Sequence, residues 1–246
     1  MTFERTKIFL ATALLLGLAA CAAPEPGEVY DPFEPVNRSI HQLNKGLDKA
    51  VLSPSATVYG TVLPRELRGG LASAADNLQL PGMVVNDILQ FKLQDAVANT
   101  LRFGLNSTVG LAGLWDPASK LGIEERPTDF GETLHVWGFP EGPYLELPVL
   151  GPSNTRDTAG LIVDFAFNPV LNWVPAADAW ILTVAEVTSL VNDRYTYGST
   201  VDSVLHESED SYVQSRLLFS DNRRFELGGS QAEEDDLYDL YGEAFE

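Results

Sequence analysis

The chain has 246 residues, 45% hydrophobic and 21% charged, proportions of a protein that buries a core and not of a disordered one. Lys and Arg number 16 against 35 Asp and Glu, a formal net charge of −19. That balance repels phosphate backbones and gains nothing from anionic lipid, which argues against nucleic-acid binding. A single cysteine leaves no disulfide framework and no Cys-based zinc site.

Arg5 and Lys7 precede an uncharged stretch, residues 8–20. This is the pattern of a signal peptide over residues 1–20, too short for the ~20 apolar residues of a spanning helix. It ends Leu18-Ala19-Ala20-Cys21, which resembles the bacterial lipobox, so Cys21 is the expected lipidation site. One acyl chain anchors only marginally; the three chains of a lipobox product anchor durably. Ala22 and Ala23 follow, not Asp; by resemblance to enteric lipoproteins this favours the outer membrane. Residues 21–28 form the lipidated tether, kept irregular by Pro24, Pro26 and Gly27.

Helical periodicity dominates residues 29–227. Val36, Ile40, Leu43, Leu47 and Val51 share one helix face, and Asn37, Arg38, His41, Asn44, Lys45, Asp48 and Lys49 take the other. A second helix is expected over 92–106, with Leu93, Val97, Leu101 and Leu105 in one stripe and Asp95, Asn99, Arg102 and Asn106 in another. Asn154 with Asp157 reads as a capping box opening a helix through Phe167. A further helix is expected over 176–194, and two more around Val201–Leu205 positions and Tyr212. Proline and glycine interrupt at short intervals, including Pro54, Pro64, Pro81-Gly82 and Pro148. Tyr144-Leu-Glu-Leu-Pro148 alternates like a short strand. Residues 228–246 carry seven acidic and no basic side chains, the composition of a solvated, disordered tail. The fold class is therefore mainly α, short Pro/Gly-broken amphipathic helices with at most a small β element.

Uncharged runs at 50–64, 103–115 and 165–177 stop short of spanning length. They fit a buried core, or short helices lying in one leaflet with apolar sides toward acyl chains. Gly104, Gly110 and Gly113 fall where such a run turns or packs closely. No nucleophile elbow, P-loop, zinc-protease or dinucleotide motif occurs. Asp129-Phe130-Gly131 spells the kinase magnesium motif without its companions. His41, His135 and His206 lack metal-ligand spacing and read as surface or satisfied core residues. Neither an enzyme nor a metal or cofactor site is expected.

Tyr30-Asp-Pro-Phe-Glu-Pro-Val-Asn-Arg38, Val84-Val-Asn-Asp-Ile-Leu-Gln90 and Arg102-Phe-Gly-Leu-Asn-Ser-Thr-Val-Gly-Leu-Ala-Gly-Leu-Trp-Asp116 resemble, in order and spacing, the VacJ/MlaA family of outer-membrane lipoproteins. Asp129-Phe-Gly-Glu-Thr-Leu and Leu147-Pro-Val-Leu-Gly-Pro-Ser-Asn-Thr-Arg-Asp157 continue the resemblance over about residues 30–220. It implies a compact disc in the inner leaflet of the outer membrane, held by a porin trimer. Misplaced phospholipids pass its polar channel to a periplasmic lipid-carrier protein and then to an ATP-driven inner-membrane complex. The segment after the opening signature resembles the channel wall, making His41, Gln42, Leu43, Asn44 and Lys45 the gate candidates. Two other readings stay open: a structural lipoprotein scaffolding porins or an envelope complex without moving lipid, and a lipid hydrolase with an unrecognised site.

Overall fold

The structure, a computed structural model, describes residues 29–170 and 180–228. The signal peptide, Cys21 and the tether lie outside the described residues, as does the acidic tail beyond Gly228.

Helix α1 (Glu34–Leu47) runs through a π-helical turn (Asp48–Leu52) into α2 (Ser53–Val62). Pro54 does not break this run. It sits in the first turn of α2, where a missing N–H costs little. Leu63, extended ahead of Pro64, does end it, as a residue before proline should. Helix α3 (Arg65–Leu89) contains Pro81; packing of α3 against its neighbours outweighs the lost backbone bond. Then come α4 (Leu93–Thr108), α5 (Pro117–Lys120) and α6 (Phe130–Val136). Strand β1 (Tyr144–Leu147) pairs antiparallel with β2 (Gly151–Asn154), Tyr144 opposite Asn154. Helix α7 (Thr155–Phe167) is capped by Asn154, whose side chain accepts from the Asp157 amide at 2.7 Å. The chain resumes with α8 (Trp180–Thr196), α9 (Gly198–Asp202), a second π-helical turn (Ser203–Glu207) and α10 (Ser211–Glu226). Helix α3 packs on α4 and α8, α8 also on α2, and α6 on α7.

The sides on which the stripes lie are the main finding. On α4, Val97 is 59% and Leu101 50% exposed, while Asn99 is 0% and Arg102 4%. On α1, Val36 and Leu43 are exposed while Asn37 and His41 are buried, as is Asp48 at the start of the π-helical turn. Val58 and Val62 of α2, Ile162 of α7 and Trp180 and Val184 of α8 are exposed as well. In an ordinary soluble domain the stripes would face the other way. So broad an apolar exterior marks a surface for lipid or a partner. Among the described residues no helix is long and apolar enough to cross a membrane.

The buried polar side chains are largely paired, as burial favours; among the described residues Asn77 Oδ1, Gln90 Oε1, Arg102 Nε and the Ser220 hydroxyl are exceptions. Arg102 donates to Asp116 (2.9 Å), Ser119 (2.9 Å) and the Ile123 carbonyl (2.5 Å). Asn99 donates to Asp87 and the Arg126 carbonyl, both at 2.8 Å. Burial works to raise the Asp116 carboxyl, but hydrogen bonds from Ser119 and Arg102 outweigh it and hold it at about 2. Two of the three glycines singled out above are required by space. A Cβ on Gly110 would lie 2.3 Å from the Trp115 carbonyl oxygen. Gly113 has φ +89°, and a Cβ there would lie 2.7 Å from that of Asn77. Gly104 faces open space and has no such role.

Candidate functional site

An open cavity of about 560 Å³ lies between α1, its π-helical turn, the hairpin and α8. Leu47, Val51, Val187, Leu190 and Val191 give it apolar walls; His41, Asn44, Asp48, Glu146 and Arg194 give it polar ones. The polar wall is hydrogen-bonded throughout. The His41 ring lies between Glu146 Oε1 (3.2 Å) and Ser211 Oγ (3.0 Å). The Tyr144 hydroxyl donates to Glu146 Oε2 at 2.5 Å; burial and this bond push the hydroxyl far up, keeping it the donor. Asn44 Nδ2 donates to the Leu147 carbonyl (2.9 Å), and its Oδ1 accepts from the Val149 amide (2.7 Å). These contacts seat α1 on the hairpin through both edges of one amide side chain.

Farther along, Asp48 on the first π-helical turn meets Arg194 on α8. Arg194 Nε donates to Asp48 Oδ1 (2.7 Å), and Nη2 to Asp48 Oδ2 (3.1 Å) and Asp202 Oδ1 (2.6 Å). His206, on the second π-helical turn, lies 2.8 Å from Asp48 Oδ2 through Nε2. Burial works to raise the Asp48 carboxyl, but the bonds from Arg194 and His206 outweigh it and hold it below the ordinary range. Asp48, Asp202 and His206 cluster closely enough to suggest a metal site. Arg194 already supplies the cation between the two carboxylates. π-Helical turns concentrate at functional sites, and here the two among the described residues meet in one ion network.

A second cavity, about 350 Å³, lies across α8. Leu78, Met83, Leu161, Phe165 and Leu182 line it, with Asn86, Asp129 and Asp164 at its polar end. Asp164 accepts from the Phe130 amide and Asn86 Nδ2, both at 2.9 Å; burial pushes its carboxyl up. Helix α8 thus divides two amphipathic chambers, with Ala185 and Glu186 toward one and Val187 and Arg194 toward the other.

Among the gate candidates, the structure brings together His41, Asn44 and Lys45. Lys45 Nζ lies 3.3 Å from Ser211 Oγ, the hydroxyl that His41 also meets. Gln42 and Leu43 are exposed, and neither is among the residues lining the cavity. Sequence reasoning missed Glu146, Arg194 and Asp202. Arg194 is the last position of the helix expected over 176–194, and a lone arginine closing a largely uncharged helix is the signal that was available. The three histidines are packed among polar partners: His41 and His206 as above, and His135 beside Arg156 Nη1 at 3.3 Å. Asp129 serves as N-cap of α6, accepting from the Glu132 amide at 2.7 Å.

Residues 29–226 match the family model described as MlaA lipoprotein. The chain is 30% identical over 260 residues to the intermembrane phospholipid transport system lipoprotein MlaA of Escherichia coli K12, covering 99% of this chain and 100% of that one. It is 37% identical over 191 residues to an uncharacterized protein of Rickettsia prowazekii, covering 77% and 74%. A solved structure reported as "Structural basis for maintenance of bacterial outer membrane lipid asymmetry" superposes with a TM-score of 0.70 at 28% identity, covering 80% of this chain and 98% of that one.

Proposed function

The chain belongs to the MlaA lipoprotein family, and from that premise we propose that it removes misplaced phospholipid from the outer leaflet of the outer membrane. In this reading Cys21 anchors it on the periplasmic side, its apolar exterior lies in the inner leaflet, and a porin trimer holds it there. Phospholipid passes the chambers beside α8 and is handed to a periplasmic lipid carrier, so that lipid asymmetry is maintained without bond breaking.

One observation carries the reading: apolar side chains face outward while polar ones line the interior. A headgroup crossing hydrocarbon unaided loses its water without gaining partners. Chambers with one polar and one apolar wall offer headgroup and acyl chains separate surfaces. Irregular backbone at membrane depth is tolerated where protein satisfies it, and the 109–116 connection, with its run of backbone hydrogen bonds, meets that condition. Helix α1, through His41 and Asn44, forms the wall that controls passage.

Deleting the gene in its source bacterium should raise outer-leaflet phospholipid, measured by labelling intact cells with a membrane-impermeant amine reagent. A scaffold that moves no lipid would leave that level unchanged. A hydrolase would release fatty acid from vesicles.

A further inference from the structure

The chamber between α3, α7 and α8 has apolar walls, but its charged groups are all of one sign. Asp129, Asp164 and Glu186 line it, and among its described lining residues there is no Lys or Arg. Asp129 is neutralised by Arg223, which reaches its two oxygens at 2.7 and 2.8 Å. Asp164 is not bonded to a cation; its partners are a backbone amide and the Asn86 amide. Glu186 is exposed on α8. The chamber therefore holds these two carboxylates beside a lipophilic wall. The chamber across α8 leans the same way, with Asp48, Glu146 and Asp193 against Arg194.

Resting on the transport reading above, we infer that this chamber selects phospholipids whose headgroup carries an ammonium and no net charge over those whose headgroup is net anionic. An ammonium entering between Asp164 and Glu186 supplies the missing counter-charge and donates three hydrogen bonds. A headgroup bearing only a phosphodiester brings a further negative charge next to carboxylates, which repel it. The chain's net charge of −19 adds a weaker, salt-screened bias of the same sign.

The test uses the purified full-length lipoprotein, equilibrated with vesicles of phosphatidylethanolamine and phosphatidylglycerol in equal amounts with identical acyl chains. The lipid that remains bound is identified by mass spectrometry. The expected ratio is about tenfold in favour of phosphatidylethanolamine. Glu186→Lys, on an exposed position, should bring the ratio to parity or below; Asp164→Asn should lower it. A wild-type ratio near one, or a Glu186→Lys ratio equal to wild type, overturns the inference while leaving the transport reading intact. Retention of neither lipid by the wild type overturns both.

Discussion

Removing the Arg194 guanidinium should cost more than any surface substitution, and the cost should depend on pH. The Asp48 and Arg194 side chains are each 6% exposed, and two bonds of 2.7 and 3.1 Å join them. Arg194→Ala leaves the Asp48 carboxylate buried beside His206. Breaking one side of such a pair costs about 3–5 kcal/mol, a large part of the ~5–15 kcal/mol that holds a domain together. At ~2–4 °C per kcal/mol for a chain of this size, the melting temperature should fall by about 10 °C near pH 7.5. In the wild type the Asp48 carboxyl is held below its ordinary value. Its contribution is therefore complete above the unfolded carboxylate pKa and is lost only as pH falls through the folded value, so in the wild type this ion pair should contribute equally at pH 7.5 and 5. In the variant burial dominates and raises that carboxyl. Protonation then relieves the buried charge, and the deficit should shrink toward pH 5. Thermal unfolding of both proteins in the same detergent at the two pH values measures this. A deficit under about 1 kcal/mol, or one that does not change with pH, would refute the reasoning.

The two glycine environments give a paired prediction. Gly113→Ala meets the Asn77 Cβ at a positive φ and should lose about 1–3 kcal/mol, whereas Gly104→Ala, in open space on α4, should be neutral or gain up to ~1 kcal/mol; equal melting temperatures would contradict this. Deleting Gln42 and Leu43 rotates the rest of α1 by about 200° relative to its start, which pulls Asn44 from the hairpin and Asp48 from Arg194. The expected product is exported and leaks phospholipid into the outer leaflet even when wild type is present. Normal accumulation with wild-type lipid levels would make α1 a structural element only.

The helices and their two-sided character were legible because 3.6-residue periodicity is local. Which side faces inward was not. Val97 and Leu101 on one stripe and Asn99 and Arg102 on the other look alike in sequence whether the interior is apolar or polar. Only the tertiary arrangement, in which Asn99 and Arg102 meet partners distant in sequence, decides it. Strand β1 alternates visibly, but β2 is Gly-Pro-Ser-Asn, without β-formers, and exists because β1 and the Asn154 cap position it. Pro54 and Pro81 read as breakers since proline's effect depends on whether its missing donor had a partner, and on what packs around it. The gate candidates split for a simpler reason. His41, Asn44 and Lys45 share a face, and Gln42 and Leu43 fall on the other.

The most direct test of the outward-facing apolar surface uses one label at a time. Cys21 is the sole cysteine and is expected to be acylated, so Val97→Cys and Leu101→Cys each offer a single spin-label site on the exposed face of α4. With the lipoprotein reconstituted in phospholipid bilayers, relaxation by dissolved oxygen and by a water-soluble nickel chelate is compared at each site. The account predicts strong relaxation by oxygen and weak relaxation by the chelate at both positions, as for a group among acyl chains. Strong relaxation by the chelate at both would place this face in water and contradict the account.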